Sequence, residues 1–496
     1  MSKENSPFLS RSGKSSFPWL WVLSTAVLCV VFIFALAPRA EAQSQDARRY
    51  TSTIQNVFDF IQRHYVEEVD PKTVFEGAMS GMLNSLGDPH SNFLSEKEMT
   101  DLGDITQGTF GGVGLYISKP VEEQADGKPS YAEVSSPIED TPGWRAGINP
   151  GDLIIEINGE STGSLSLDEV VARLRGAPGE AVNIMIRRGA KLEFPVTLVR
   201  EVIRVPTIKY DMIGDIGYLK LITFTPMTVE LSREALNGFK EKDYRGLILD
   251  LRNNGGGLLQ AAIGICDLFL DSGVVVSTKS RIPSENAVFN AHRSTAVPAD
   301  IPVIVLINRG SASASEIVAG ALKDRGRAYL VGERSYGKGS VQQVFPLDKA
   351  GFKLTTARYY TPSDVNIDKI GIPPDREIKF PEFTAEDLEK FNALMTANRI
   401  PQFIEANPRA SIADIDIYAR ELGRQYGIGN ISLLRRLIRD EQNRTVIAPV
   451  YDLEYDIQLQ EGVNIIRGGT YRTLMQSAKT LKTLQEEAAG DLAQAS

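Results

Sequence analysis

Apolar residues recur at spacings of three and four near the start of the chain, where they include Ile54, Val57, Phe58, Ile61 and Tyr65. One apolar stripe at this period predicts an amphipathic helix within residues 46–102. A second helix is predicted for residues 71–86. We therefore expect residues 43–105 to form a helical N-terminal region that serves packing or dimerisation.

The pattern becomes β-rich at about residue 106, with short apolar runs between Gly, Pro and Asp turns. Strands are predicted for residues 113–118, 153–157, 182–187 and 193–199, and one helix for residues 167–174. Residues 106–200 should therefore form a β-rich domain of their own.

From residue 202 onward, buried strands alternate with helices, a pattern that favours an α/β sheet core. The predicted strands cover residues 216–221, 247–251, 274–278, 303–308 and 328–332, and the predicted helices cover residues 228–240, 258–269 and 315–324. Beyond residue 382 the chain is helical and charged. The predicted fold class is α/β within a mixed α+β multidomain chain: an α/β core over residues 201–380, the inserted β-rich domain, and helical regions at 43–105 and 381–496.

The first 42 residues have the features of an export signal. Lys3, Arg11 and Lys14 precede an apolar run over residues 17–37, and a small-x-small site ends at Ala42. The alternative is an uncleaved anchor that attaches the protein to the inner membrane, because the run approaches the length of a membrane span. In either case the remainder should work outside the cytoplasm, for example in the periplasm.

Composition excludes several kinds of chemistry. The 54 basic against 63 acidic residues give a net charge of -9, so nucleic acid is not an expected partner. Of the two cysteines, Cys29 lies in the apolar N-terminal run, which leaves Cys266 unpaired. Only three histidines occur, far apart in sequence. We therefore expect no cofactor, no metal site and no histidine-dependent triad.

A candidate nucleophile lies in the small-residue turn over residues 309–316, where an apolar strand runs into a helix. Such a turn presents a hydroxyl at a helix N-terminus, where free N–H groups can stabilise an oxyanion. Ser311, Ser313 and Ser315 all lie in it. The alternative is purely structural, since Ser313 and Glu316 have capping-box spacing.

A candidate base follows in the next strand region. Lys338 lies between two glycines, and strand alternation puts Lys338, Ser340 and Gln342 on one face. A lysine acts as a base only when neutral, so burial must lower its pKa by roughly three units. Gln342 can orient the amine without favouring its charged form, whereas a carboxylate at that position would stabilise the ammonium ion, which cannot act as a base. A phosphate-binding loop is the weaker alternative, because Gly339 replaces the required Ser or Thr and a strand pattern follows.

The β-rich domain resembles a PDZ module. The matching residues are Gly111, Gly112, Val113, Gly114 and Leu115, followed by the stretch 146–154, Asn158-Gly159 and the RGAPG turn at 175–179. The resemblance implies that residues 111–115 bind a terminal carboxylate while the adjacent strand edge pairs with the peptide. The alternative is that these glycines only make turns. Residues 112–117 do not match the glycine motif of dinucleotide-binding proteins, because Ile117 occupies the position of the third glycine.

Residues 311–316 (SASASE) and 337–343 (GKGSVQQ) are similar to the C-terminal processing peptidases, also called tail-specific proteases. The match extends from the turn at residues 87–91 to about Pro374. In that family a Ser/Lys dyad cleaves proteins near their C-termini, and the lysine follows the serine by 25 residues. The resemblance therefore implies Ser313 as nucleophile, Lys338 as base and Gln342 as the residue that assists the lysine.

The same resemblance implies an oxyanion hole made by the N–H of Ala314 and a glycine N–H from residues 249–258 (LDLRNNGGGL). Family members commonly carry proline where Gly255 stands, and we favour Gly256 as the donor. The alternative for these glycines is a structural turn before a helix. Arg252 is expected to anchor either the PDZ module or this turn.

These observations predict an exported serine endopeptidase that recognises unstructured protein C-termini through its PDZ module. The alternatives are a catalytically inactive PDZ adaptor or chaperone, and an exported esterase with the same dyad. We expect a homo-oligomer, with the C-terminal region serving oligomerisation or docking of a partner; only residues 456–459 in it resemble the family. The turn at residues 87–91, which contains His90, is interpreted as structural.

Overall fold

The computed structural model describes residues 45–119, 130–189, 192–293, 295–380, 385–445 and 449–487. The predicted export signal over residues 1–42 lies outside them. None of the helices in the described ranges is long and apolar enough to cross a membrane. The described residues divide into two compact units, one that ends at Met82 and one that begins at Leu83.

The first unit contains helix α1 (Gln45–His64) and most of helix α2 (Pro71–Asn84). Both helices occur where the apolar period predicts them. The stripe of α1 leaves large side chains exposed, among them Ile54 and Val57.

The β-rich domain is built on a sheet with the strand order β3-β4-β5-β7-β8. Its elements are β3 (Leu115–Ser118), β4 (Ala132–Pro137), helix α4 (Pro142–Arg145), β5 (Leu153–Ile157), β6 (Glu160–Ser161), α5 (Leu167–Leu174), β7 (Ala181–Arg188) and β8 (Leu192–Val199). Before it come β1 (Asn92–Leu94), α3 (Glu96–Gln107) and β2 (Thr109–Gly112), and β2 pairs with β9 (Glu201–Arg204). Strand β3 lies at the edge of the sheet, and helix α5 begins with a Ser166/Glu169 capping box.

A largely parallel sheet forms the centre of the second unit, with the strand order β10-β11-β12-β15-β16-β19. Its strands are β10 (Ile208–Ile213), β11 (Ile216–Leu221), β12 (Gly246–Asp250), β15 (Val303–Ile307), β16 (Tyr329–Gly332) and β19 (Arg376–Glu377). Helices α6 (Pro226–Glu241), α7 (Leu259–Asp267) and α8 (Ala314–Asp324) pack on one face. Strands β12 and β15 are fully buried, which explains their continuous apolar sequences.

A second, antiparallel sheet lies beside the first. It contains β1, β13 (Val274–Ser280), β14 (Ala287–Asn290), β17 (Ser340–Leu347) and β18 (Ala350–Tyr360). Placing residues 274–278 among the strands of the α/β sheet was therefore wrong. The reason is that β13 pairs antiparallel with β18 and β14 instead, so it belongs to the second sheet.

The C-terminal region divides into two parts. Helices α9 (Ala385–Thr396), α10 (Arg399–Ala406), α11 (Ile412–Tyr426) and α12 (Ile431–Thr445) share an apolar core of their own. Helices α13 (Ile457–Arg467) and α14 (Tyr471–Ser477) cover the other face of the central sheet, where Leu459 and Val463 pack against Ile248 and Ile304. Part of the C-terminal region thus completes the core. The mixed α+β fold class predicted from the sequence is confirmed.

Candidate active site

Three loops meet at the carboxyl edge of the central sheet. Strands β12, β15 and β16 are parallel neighbours, so the loops that follow them emerge side by side. These loops carry three segments that the sequence analysis identified: the glycine run at residues 255–257, the serine turn at residues 309–316 and the lysine segment at residues 337–343. The topology therefore explains why segments more than eighty residues apart form one site.

Ser313 occupies a sharp turn between β15 and α8. Its φ of 55° and ψ of -114° lie in a region that non-glycine residues rarely adopt, at a cost of about 1–3 kcal/mol. Neighbouring serines hold the turn: the Ser311 hydroxyl donates to Leu251 O at 2.8 Å, and the Ser315 hydroxyl donates to Asn254 O at 2.8 Å. Such strained strand-to-helix turns expose a nucleophile at the top of a sheet.

The buried carboxylate of Glu316 ties the serine turn to the lysine segment. Its Oε2 accepts both the Ser313 N–H at 2.9 Å and the Lys338 N–H at 2.8 Å. Its Oε1 accepts the Gly337 N–H at 2.7 Å and the Ser335 hydroxyl at 2.5 Å. The backbones of Ser313 and Lys338 therefore lie within about 6 Å, two hydrogen-bond lengths, of each other.

Sequence reasoning gave Glu316 only a capping role. The capping contact is made, but the same carboxylate also binds the lysine segment. Burial raises the pKa of Glu316, while the hydrogen bonds from Ser335, Gly337, Lys338 and Ser313 oppose that rise. The only sequence signal was an acidic residue among the small and apolar residues at the start of α8.

The surroundings of Lys338 disfavour its charged form. Burial lowers the pKa of its amine and the nearby Lys353 charge lowers it further, while the carboxylates of Asp88 and Glu316 act in the opposite direction. The sequence did not indicate Lys353 or Asp88 as neighbours. Within the described residues no hydrogen bond joins this amine to the Ser313 hydroxyl.

Gln342 lies in β17, opposite Thr355 of β18. Its amide nitrogen donates to the Ser340 hydroxyl at 2.9 Å and to the Thr355 hydroxyl at 3.2 Å. Ser340 and Gln342 thus share a side of the strand, as alternation predicts. Lys338 precedes the first residue of β17, and a register irregularity lies between Val341 and Gln342. A strand follows the lysine, so the segment lacks the helix of a phosphate-binding loop.

The glycine run packs directly against the serine turn. A Cβ on Gly256, whose φ is +105°, would lie 2.9 Å from Ser313 Cβ and 3.0 Å from Ala314 N. The Gly256 N–H donates to Asn254 Oδ1 at 2.9 Å. Among the described residues, no acceptor binds the N–H groups of Ala314 or Gly257. The structure thus brings both predicted oxyanion residues together, with Gly256 paired locally.

Two asparagines fasten the glycine loop to its neighbours. Asn253 N–H donates to Asn308 Oδ1 and the Asn308 amide donates back to Asn253 Oδ1, both at 2.9 Å. The Asn254 amide donates to Leu221 O at 2.9 Å. The loop that would supply an oxyanion donor is therefore fixed to β11 and to the end of β15.

Arg252 anchors the same loop to the C-terminal region. Its guanidinium donates to both carboxylate oxygens of Asp250, at 2.9 and 2.6 Å, and of Asp456, at 2.8 and 2.6 Å. Although burial disfavours the charge of Asp250, the Arg252 charge holds its pKa below the usual value. Of the two expectations for Arg252, the contacts fit the turn. Asp456 caps α13, so the tail supports this loop from behind.

A cavity of about 250 Å³ lies between β3 and helix α5. Gly112, Val113, Gly114 and Leu115 line it, whereas Gly111 lies against Gly176 and lines a neighbouring cavity. The edge strand β3 forms one wall. This arrangement suits an extended peptide that pairs with β3 and ends at the glycine-rich loop.

Arg175 separates this groove from helix α3. Its guanidinium lies 4.8 Å from the centre of the Phe110 ring and binds Asp101 and Asp104 of α3 at 2.8 and 3.2 Å.

Within the described part of the chain, no cluster of three or more His, Cys, Asp or Glu residues suits a metal ion.

Family models match three segments of the chain. They are described as peptidase family S41, matching residues 215–378, the PDZ domain, matching residues 133–188, and the N-terminal domain of the activating protease CtpB, matching residues 35–98. The first covers the glycine loop, the serine turn and the lysine segment.

Curated relatives match most of the chain. A carboxy-terminal-processing protease of Bartonella bacilliformis is 40% identical over 343 residues, which are 68% of this chain and 77% of that protein. A carboxyl-terminal-processing protease of Synechocystis is 37% identical over 311 residues, 61% of this chain and 71% of that protein. The solved structure of a photosystem II D1 C-terminal processing protease is 29% identical to this chain, and the match has a TM-score of 0.40. It includes 66% of this chain and 92% of the protease chain.

Proposed function

The chain belongs to peptidase family S41, the family of serine-type peptidases that includes the carboxy-terminal-processing proteases, and we propose that it is an exported endopeptidase that cleaves proteins near their C-termini. In this proposal the PDZ domain binds an unstructured tail and delivers the chain to the Ser313 site. The substrates are proteins or peptides with free, unfolded C-termini. The enzyme acts as a homo-oligomer in the periplasm or another extracytoplasmic space. It is either released from the membrane by cleavage near Ala42 or attached to the membrane by its N-terminal segment.

One observation carries the proposal: a single buried carboxylate, Glu316, binds the backbones of both Ser313 and Lys338. The lowered pKa of Lys338, caused first by burial and then by Lys353, favours the neutral amine that a base requires. The lysine side chain has four rotatable bonds. The proposal requires a rotamer of Lys338 that brings its amine to the Ser313 hydroxyl.

The proposed reaction has two steps. Lys338 takes the proton of Ser313 as the hydroxyl oxygen attacks the scissile carbonyl, and the same proton then goes to the leaving amine. The acyl-enzyme ester is hydrolysed by a water whose proton passes to Lys338 and from there to the Ser313 oxygen as the ester bond breaks, which restores the free hydroxyl and the neutral amine. In both steps the N–H of Ala314 and a glycine N–H of the 255–257 run, Gly256 or Gly257, stabilise the oxyanion. For Gly256 this requires exchange of its bond to Asn254.

Cleavage of paired substrates tests the proposal. Fluorescein-labelled peptides of one unfolded sequence, with a free or an amidated C-terminus, are incubated with the wild type and with Ser313→Ala, Lys338→Ala and Gln342→Ala. We expect cleavage of the free tail, a marked loss for the amidated one, and loss of activity in the Ser313 and Lys338 variants.

Other outcomes point to the alternatives. Binding without cleavage by the wild type would indicate an adaptor. Equal cleavage of the two peptides, together with hydrolysis of simple esters, would indicate an esterase. Unchanged cleavage by Ser313→Ala would remove the proposed nucleophile.

A further inference from the structure

Strand β17 lies at an edge of the second sheet and begins close to Lys338. Among the described strands it pairs with β18 alone. Its first residue, Ser340, comes two residues after Lys338, whose N–H shares the Glu316 carboxylate with the N–H of Ser313. The second edge of β17 therefore starts at the proposed active site.

The register with β18 shows which backbone groups of β17 point to this outer edge. The Thr355 N–H donates to Ser91 Oγ at 3.0 Å, on the side of β18 that carries β1. Gln342 is the register partner of Thr355, so the two form a pair that exchanges no main-chain hydrogen bonds. The N–H and C=O of Gln342 therefore point outward. The directions alternate along the strand, and the N–H and C=O of Val344 point outward as well.

The outer edge of β17 carries backbone donors and acceptors but no charged side chains. Pro346 occupies the next outward position, where its missing N–H costs the β17–β18 ladder nothing. Within the described part of the chain, the outward N–H groups of Gln342 and Val344 have no acceptor. Residues 340–347 (SVQQVFPL) include no acidic or basic residue, although charges commonly protect edge strands from pairing. The edge is thus suited to pairing with another extended chain.

The substrate is the extended chain that this position favours. An unfolded polypeptide that passes Ser313 can continue along β17, because the strand starts two residues after Lys338. Main-chain pairing accepts many sequences, which suits an enzyme whose proposed substrates share an unfolded state. Gln342 and Val344 are about 7 Å apart along the strand, so they contact substrate residues that are two positions apart.

We propose that the outer edge of β17 is a docking strand for the substrate: the polypeptide being cut lies extended along it and exchanges main-chain hydrogen bonds with Gln342 and Val344. The inference rests on the proposed Ser313/Lys338 function and deepens it. It assigns the part of the substrate near the scissile bond to a surface separate from the PDZ groove.

A peptide in which single peptide bonds are replaced by esters tests this pairing. An ester removes one N–H donor and nearly keeps the shape of the chain. The replacements are made in the free-tailed peptide on both sides of the scissile bond, which stays an amide, and the last four residues stay unchanged so that tail binding is constant. Products are identified by mass spectrometry, so that cleavage at an introduced ester is not counted.

We expect the kcat/KM of the full-length wild type to fall about three- to tenfold at two positions that are two residues apart. At the position between them the change should be less than about twofold, because that N–H points away from β17.

Val344→Pro removes an outward N–H from the enzyme. Val344 is 40% exposed, and an edge strand tolerates proline at an outward position. We expect kcat/KM for the peptide without esters to fall about three- to tenfold. The ester losses should shrink to less than about twofold in this variant, because the substrate no longer lies along the strand.

Val199→Pro is the matched control. Val199 is 50% exposed and lies in β8, at the edge of the PDZ sheet opposite to β3. It follows Pro195 by four residues without a register shift, so its N–H also points outward. Its kcat/KM should stay within about twofold of wild type.

Three outcomes would overturn the inference. The first is equal ester losses at successive positions, and the second is an equal loss in Val344→Pro and Val199→Pro. The third is a Val344→Pro enzyme with a changed subunit number in light scattering and normal cleavage, which would assign the edge to a contact between copies. Should Val344→Pro fail to fold in urea titrations, the ester scan of the wild type decides by the spacing of its losses.

Ser313→Ala distinguishes the two levels of the account. If Ser313→Ala is inactive and the ester losses of the wild type lack the two-residue spacing, the docking strand fails and the proposed function stands. If Ser313→Ala keeps full activity, the proposed function itself fails.

Discussion

Replacing Glu316 by alanine should stop cleavage, whereas replacing it by glutamine should only slow it. Alanine removes the acceptor of three N–H groups, the buried one of Gly337 and the partly buried ones of Ser313 and Lys338. At about 1–3 kcal/mol for each unsatisfied group, the loss of stability is about 3–9 kcal/mol, and water that enters the vacated space reduces it. The serine and lysine backbones are then no longer tied together.

Glutamine keeps most of this arrangement. Its NH₂ group should take the Oε1 position, because the Ser335 hydroxyl there can turn to accept, and only the Gly337 N–H loses its partner. The carbonyl oxygen still accepts from Ser313 and Lys338, as a neutral group. The expected loss is about 2–4 kcal/mol, and relief of the buried charge offsets part of it.

The assay combines urea unfolding, to measure stability, with the kcat for labelled casein at a temperature where circular dichroism shows each variant folded. Because a misplacement of 1 Å can cost about 100-fold in rate, we expect kcat to fall by at least that factor in Glu316→Ala. In Glu316→Gln the fall should be about tenfold or less. A folded Glu316→Ala enzyme with kcat within threefold of wild type, or one more active than Glu316→Gln, would refute the reasoning.

Four further variants test other parts of the account. Lys353→Met removes a like charge that lowers the pKa of Lys338, so the acid limb of the pH–kcat profile should move to higher pH; a shift to lower pH would contradict the electrostatic account. Lys338→Met should abolish activity, because the base is lost, and should raise the stability of the folded enzyme towards urea at neutral pH. The pKa of Lys338 is lower in the folded than in the unfolded state, so the protonated lysine destabilises the fold. This deficit disappears only as the pH rises from the folded pKa towards the unfolded pKa. Gly256→Ala should abolish cleavage, since the added Cβ meets the serine turn at 2.8–3.0 Å, and wild-type activity would show that the loop is free to move. Asp456→Ala should lower the free energy of unfolding by up to about 3 kcal/mol, since it leaves the buried Arg252 guanidinium with one carboxylate fewer; a loss below 1 kcal/mol would show that this pair contributes little.

Local patterns in the sequence were enough to predict many of the helices and strands. Helix α5 and strands β5 and β11 have the predicted bounds, because capping residues and turn glycines mark their ends. The nucleophile turn was visible because an apolar strand, small residues and a helix follow one another without interruption. Lys338 was visible because two glycines flank it.

What the sequence did not reveal depends on contacts between distant segments. Glu316 has the spacing of a cap, and nothing local shows that Gly337 and Lys338 also donate to it. Asp456 lies 204 residues from Arg252, and Thr355 lies 264 residues from Ser91. Such pairings follow from the arrangement of the two sheets, which periodicity along one strand does not determine.

Acid-quench mass spectrometry tests the Ser313/Lys338 mechanism most directly. The wild-type enzyme is mixed with the free-tailed peptide, quenched in acid within its first turnovers and mapped by fragmentation. We expect an acyl adduct on Ser313, distinguishable from Ser311 and Ser315, which disappears in Lys338→Ala. Efficient cleavage with no adduct, or with the adduct on another residue, would contradict the account.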